Sequence, residues 1–253
     1  MDGSIARIKV CLNGGRPQAE SPGVPVTPAE AAASAAAAVA AGAEAVHVHP
    51  RGGDGRESLD PSYIGATVAA VRQACPGVPV GVSTGVWITD GDADARLDAV
   101  ARWGDLDDLG RPDFASVNLA EPEPVTLARA LRAGGIEIEA GVWSADDVTR
   151  LAEIGPAVRW LRILVEVMGA EAAGPARITA DAILAALDQA GRAEPRLLHG
   201  DGVACWPLIA YAGQLGLPTR VGFEDTATGP DGRPAASNTE LITRGLEVWD
   251  RPQ

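Results

Sequence analysis

The sequence predicts a single (β/α)8 TIM barrel, an α/β fold, and three observations predict it. Short β-branched runs alternate with longer Ala/Leu-rich stretches along the chain. Eight such strand–helix units are present, and they fill 253 residues without a linker or a shift in composition. A doubly wound open sheet has the same periodicity, but eight units in this length match the closed barrel better. One catalytic domain over residues 1–253 is the expected organisation.

Each element has its own signal. The first strand is read over residues 6–13. Thr27-Pro28-Ala29-Glu30 then supplies an N-cap, a proline at the first helical position and an acid in the first turn. The helix runs to about residue 41, where Gly42 stops it. Its alanine-rich body is strong helix-forming sequence rather than low complexity. Strand two covers 45–49, and Asp60-Pro61 opens a helix that ends near Cys75-Pro76. Strand three is 78–83, followed by a helix around 93–103. Strand four is 114–118, with a helix at 124–133. Strand five is 136–140, with a helix from about 145 to 153. Strand six is 160–166, with a helix at 179–190. Strand seven is 196–199, with a helix at 204–215. Strand eight is 219–223, and a helix at 238–247 closes the series.

Composition narrows the function. Hydrophobic residues make up 46% of the chain, enough for one large core, and the net charge is −13. Such a surface repels nucleic-acid phosphates and anionic lipids, so neither nucleic acid nor membrane is an expected partner. Cys11, Cys75 and Cys205 are odd in number and match no metal spacing. They read as buried free thiols of a reducing compartment. No segment has the form of a signal peptide or a membrane span, so a cytoplasmic protein is expected.

In a barrel the chemistry collects at the C-terminal ends of the strands. Every predicted strand ends on a polar group: Asn13, His47 and His49, Ser83 and Thr84, Ser116 and Asn118, Glu139, Glu166, His199, and Arg220 with Glu224 and Asp225. All three histidines of the chain fall on such ends. His47 and His49 are two apart on a strand, so both imidazoles face inward and Val48 faces out. Alone, such a pair is as often two hydrogen-bonded core histidines. At a barrel strand end it suits one divalent metal, with Glu224 the leading third ligand. Two histidines and a carboxylate with one open position is a catalytic zinc arrangement. His199 is a possible fourth ligand or a group supporting the ligands, and equally a core histidine. Ser83-Thr84-Gly85 offers hydroxyls and a close backbone approach to a substrate carboxylate or carbonyl, or simply a strand-to-loop turn. Glu139 and Glu166 also read as barrel carboxylates paired to arginine. No dinucleotide or P-loop fingerprint is present.

With these residues in view, the chain resembles the β-keto acid cleavage enzyme family, of the 3-keto-5-aminohexanoate cleavage type. The resemblance covers nearly the whole chain. It rests on Leu12-Asn13-Gly14, His47-Val48-His49-Pro50-Arg51 with Asp54-Gly55, Ser83-Thr84-Gly85, Ser116-Val117-Asn118-Leu119, Arg220 to Asp225, and Asn238. It implies zinc on His47, His49 and Glu224. Asp225 would be the general base and Arg220 its partner, with Asn13, Ser83, Thr84, Gly85, Ser116, Asn118 and Glu139 around the substrate. It further implies a β-keto acid and acetyl-CoA as small-molecule partners, acetoacetate and a new acyl-CoA as products, and a homotetramer. The loop Asn13-Gly14-Gly15-Arg16 departs from that type, which has a glutamate there for a substrate amine; Arg16 would repel an ammonium, so an uncharged or anionic keto acid is expected. Ser116 stands where threonine is usual. An aldolase or hydrolase of a keto acid working without CoA would use the same site, and a non-catalytic ligand-binding barrel would keep its shape.

Overall fold

The computed structural model describes residues 5–155 and 158–251. The outermost residues of the expected domain, 1–4 and 252–253, lie outside that range. The order is β1 (Ile8–Cys11), α1 (Pro28–Ala40), β2 (Ala45–Val48), α2 (Pro61–Ala74), β3 (Val80–Ser83), α3 (Ala93–Ala101), β4 (Phe114–Asn118), α4 (Pro124–Ala133), β5 (Glu137–Val142), α5 (Ala145–Ile154), β6 (Arg162–Val167), α6 (Ala173–Gln189), β7 (Arg196–Gly200), α7 (Cys205–Leu215), β8 (Thr219–Val221) and α8 (Asn238–Trp249). The expected (β/α)8 barrel is thus observed.

The sheet order is β7-β6-β5-β4-β3-β2-β1-β8, with every ladder parallel. The remaining seam closes through Leu198 N–H to Pro218 O at 3.0 Å and Thr219 Oγ1 to Leu198 O at 2.8 Å. Outward Val, Ile and Leu side chains of the strands pack under the helices in one continuous core.

The barrel interior is layered. At its base Ile5, Ala45, Phe114, Leu164 and Leu197 form a separate apolar cluster. Next comes an ionic layer. Lys9 Nζ donates to both Glu139 oxygens at 2.8 and 2.6 Å, and Arg162 Nε lies 3.0 Å from Glu139 Oε1. The Phe114 ring takes both cations on its π system, at 5.4 and 5.7 Å from its centroid. Polar strand ends form the mouth.

Local rules set most boundaries. The Thr27 side chain accepts the Glu30 N–H while the Glu30 carboxylate accepts the Thr27 N–H, a reciprocal capping box at the start of α1. Ser144 and Asp147 repeat it at α5. Several boundaries shift, most by a residue or two, and two of the shifts have a visible cause. Helix α6 starts at Ala173, six residues before the expected 179. Gly174-Pro175 looks like a breaker, but a proline in the first turn gives up an N–H that has no helical partner there. Thr179 is inside the helix, its hydroxyl bonded back to Pro175 O at 3.1 Å. Strand β8 stops at Val221 rather than 223 because the chain turns at Gly222. Its carbonyl accepts the N–H groups of Asp225 and Thr226, both at 3.0 Å. A Cβ on Gly222 would sit 1.8 Å from Cys11 O, so only glycine permits this crossing.

Candidate functional site

The site starts at the end of β2, where the two-residue period turns His47 and His49 inward. Asn13, just past β1, clamps the His49 backbone: its Oδ1 accepts the His49 N–H at 2.9 Å and its Nδ2 donates to His49 O at 2.9 Å. The turn after β8 delivers Glu224. The Nε2 atoms of the two histidines are 3.1 Å apart, and Glu224 Oε2 lies 3.6 Å from His47 Nε2 and 3.4 Å from His49 Nε2. One donor atom from each residue falls within 4.8 Å of the others, so the group could hold a metal ion. The donors fit a divalent cation chemically. Glu224 Oε2 is buried and has no hydrogen-bond partner among the described residues, a costly state that a cation would relieve.

Charge is distributed unevenly. Burial holds the His47 imidazole well below its usual pKa. Burial also opposes a charged His49, but the carboxylates of Glu224 and Glu57 outweigh it and raise His49 to about 9. Glu224 resists burial because Arg220 and the two histidines hold it well below the ordinary carboxylate range. Arg220 Nη2 donates to Glu224 Oε1 at 2.9 Å and to Asp225 Oδ1 at 2.8 Å, and its Nε reaches Asp225 Oδ1 at 3.1 Å. Burial raises the Asp225 carboxyl above its usual value despite Arg220 and His199, with Glu224 adding to the rise. Asp225 Oδ2 is buried without a hydrogen-bond partner among the described residues.

A cavity of about 190 Å³ opens at these groups, lined by His47, His49, Ser83, Ser116, Asn118, Glu166, Arg220 and Glu224, with Trp87, Trp143 and Met168. A second, more polar pocket of about 390 Å³ adjoins it across Gly15 and Trp87 and carries Arg16, Arg51 and Arg56.

A family model described as beta-keto acid cleavage enzyme matches residues 6–251. The chain belongs to the beta-keto acid cleavage enzyme family. No curated protein matches it. Among solved structures, this family member is similar to ObcA bound to oxaloacetate, with 19% identity and a TM-score of 0.69 over 90% of this chain and 63% of that one. It is similar to ObcA with a C4-CoA adduct and oxalate at 19% and 0.74, over 90% and 64%. The chain therefore spans a little under two thirds of the ObcA length. The type I 3-dehydroquinate dehydratase of Clostridium difficile also matches, at 11% identity and a TM-score of 0.62, over 96% and 92%. At these identities the likeness is one of fold.

Not every expected site residue of this beta-keto acid cleavage enzyme family member reaches the cavity. Glu139 does not: its carboxylate is consumed by Lys9 and Arg162 in the ionic layer. Asn13 spends its amide on His49 and Pro25 O. Thr84 donates to Ser116 O at 2.6 Å, and neither Thr84 nor Gly85 lines the cavity. His199 is no part of the donor group; its Nε2 is 3.2 Å from Glu166 Oε2 and its Nδ1 3.8 Å from Asp225 Oδ1. Asp225 is buried beside Arg220 and does not line the cavity. Arg16 turns away, its Nε donating to Phe223 O at 2.6 Å and its Nη1 to Glu20 at 3.2 Å. It borders the outer pocket rather than the cavity itself. Glu166 lies on the cavity wall, its Oε1 without a hydrogen-bond partner among the described residues. Burial works against its charge, but His199, Arg220 and Lys9 hold it below the usual value. The sequence reading missed Glu57, 2.5 Å from His49 Nδ1, and Trp87, stacked on His49. The one sequence signal for Glu57 is the Asp54-Gly55 turn, which folds the chain back toward the strand end.

Proposed function

We propose that the protein is a zinc-dependent β-keto acid cleavage enzyme that converts a β-keto acid and acetyl-CoA to acetoacetate and a new acyl-CoA. The observation that carries this reading is the convergence of His47 Nε2, His49 Nε2 and the unpartnered Glu224 Oε2 on the cavity wall. Two imidazoles and one carboxylate with an open position suit catalytic zinc. Bound there, the ion would supply Lewis acidity to the substrate carbonyl and positive charge opposite its carboxylate. The ObcA complexes with oxaloacetate and a C4-CoA adduct support a keto acid and an acyl-CoA as the ligand classes.

The chain's own residues take the remaining roles. Asp225, made more basic by burial, removes a proton from the carbon between the keto and carboxylate groups. Its Oδ2 must come into line with that carbon, a movement for the Glu224–Asp225 turn. Arg220 orients both carboxylates and offsets their charge. Ser83, Ser116 and Asn118 offer hydrogen bonds to substrate oxygens. The carbanion attacks the acetyl thioester and CoA thiolate leaves. The thiolate then adds to the original keto carbon, the carbon–carbon bond breaks to give acyl-CoA, and the carbanion released takes the proton back from Asp225 to become acetoacetate.

The first test is metal content by elemental analysis, wild type beside His47→Ala. Stoichiometric zinc that the variant loses supports the reading; no zinc, and none taken up when it is added, overturns it. A β-keto acid panel with and without acetyl-CoA follows. Acetoacetate formed only with acetyl-CoA is the expected result, and cleavage without it means an aldolase or hydrolase. Asp225→Asn is expected to keep zinc and lose turnover; full activity there removes Asp225 as the base.

A further inference from the structure

We infer that Glu57 and Trp87 form a positioning pair that fixes the metal-facing edge of His49, leaving His47 as the adaptable ligand. The inference rests on the reading of His47, His49 and Glu224 as a metal site.

The loop after β2 is built to return. Gly52 N–H donates to Arg56 O at 2.8 Å and Ser58 N–H to Pro50 O at 2.9 Å, and Arg51 and Glu57 pair as an antiparallel bridge. Asp54 Oδ1 accepts the Arg56 N–H at 3.0 Å and holds the turn. Residue 57 therefore comes back over the strand end, and Glu57 Oε1 lies 2.5 Å from His49 Nδ1.

Trp87 arrives from the loop after β3, on a 3-10 turn over Val86–Thr89. Its Nε1–H reaches both Glu57 oxygens, at 3.3 and 3.2 Å. Its ring lies over the His49 ring with centroids 6.4 Å apart and planes 22° from parallel. A Cβ on Gly85 would fall 2.2 Å from the indole, so the fold-back needs glycine there. Trp87 is 46% exposed, a large aromatic left at the mouth and tied to this one contact set.

With a cation on Nε2 in place of that nitrogen's proton, the His49 imidazole is neutral and has one N–H. Given to Glu57 at Nδ1, it leaves a lone pair on Nε2, the atom that faces His47 and Glu224. Three contacts thus set His49: Asn13 on its backbone, Glu57 on its far nitrogen and Trp87 on its face. His47 Nδ1, by contrast, is buried with no hydrogen-bond partner among the described residues. The two ligands are alike in sequence and unequal in support.

The test is the zinc Kd of the full chain, measured by chelator competition, for wild type, Glu57→Ala, Trp87→Phe and the double variant. Melting of each metal-free form checks folding, and Trp87→Phe is the milder change because it keeps an aromatic ring over His49. Glu57→Ala is expected to weaken zinc by about 10–100-fold. Trp87→Phe should weaken it by a smaller factor, and by none once residue 57 is alanine, because Trp87 acts through Glu57. In the zinc-loaded wild type, NMR should show a slowly exchanging imidazole Nδ1 proton that Glu57→Ala loses. Wild-type Kd in both single variants, or losses that multiply fully in the double variant, overturns the inference while the metal site stands. A wild type that takes up no zinc overturns the metal site and the inference together.

Discussion

Gly222 has no room for a side chain, because Cys11 O already occupies the Cβ position. Gly222→Ala should lower unfolding stability by about 1–3 kcal/mol or more, or prevent folding, since backbone rather than a flexible side chain must yield. Urea unfolding checks this, and a change within about 0.5 kcal/mol, the scatter of an ordinary surface substitution, would contradict the close approach. The cysteines follow the same logic of enclosure. Burial pushes the Cys11 and Cys205 thiols well above their usual pKa and raises that of Cys75. A thiol reagent at pH 8 should therefore leave Cys11 and Cys205 unmodified in the native protein and label all three after denaturation; prompt native labelling of Cys11 or Cys205 would refute it. Some of the site was legible at this scale. His47, His49 and Glu224 stand out because rare chemistry falls on strand ends. Glu139 misleads because alternation tells which way a strand residue points and not how deep it lies. Its partner Lys9, two residues from the mouth on β1, gave no sign of itself in the sequence.

Helix α1 shows what a local motif contributes. Its Thr27–Glu30 capping box satisfies end-of-helix N–H groups reciprocally. Thr27→Ala should cost about 1 kcal/mol. Backbone hydrogen bonds from Thr27 and Val26 lower the Glu30 carboxyl below its usual pKa. A carboxyl depressed by folding stabilises the fold above its unfolded pKa and loses that contribution as pH falls through the folded one. The gap between wild type and Glu30→Ala should hold near neutral pH and shrink below about pH 4.5, as read from urea midpoints; a gap that widens on acidification would contradict the capping geometry. Elements whose start has this chemistry were readable, as at α1, α2 and α5. Helix α6 was not, because Ala172 at its N-cap makes no side-chain bond and Gly174-Pro175 imitates a stop. The 51–57 hairpin was equally hidden: its pairing depends on backbone geometry that hydrophobic pattern does not record.

At the scale of the molecule, barrel closure was legible from the count of eight strand–helix units, whereas the interior was not. Pattern alone implies apolar filling, yet Lys9, Glu139 and Arg162 form a buried ionic layer between the apolar base and the mouth. No helix among the described residues is long and apolar enough to cross a membrane. Glu139→Gln would leave Lys9 buried without its counter-charge and would take from Arg162 one of its contacts. It should cost about 3–5 kcal/mol in urea unfolding, and a loss below about 1 kcal/mol would mean the layer is hydrated or rearranges. The same layer constrains how this sequence can change. An apolar residue at 139 strands the Lys9 charge, whereas exchanging all three for apolar residues of matching volume need not cost stability. A combinatorial library over those positions should return few combinations that keep Lys9 while losing the carboxylate at 139.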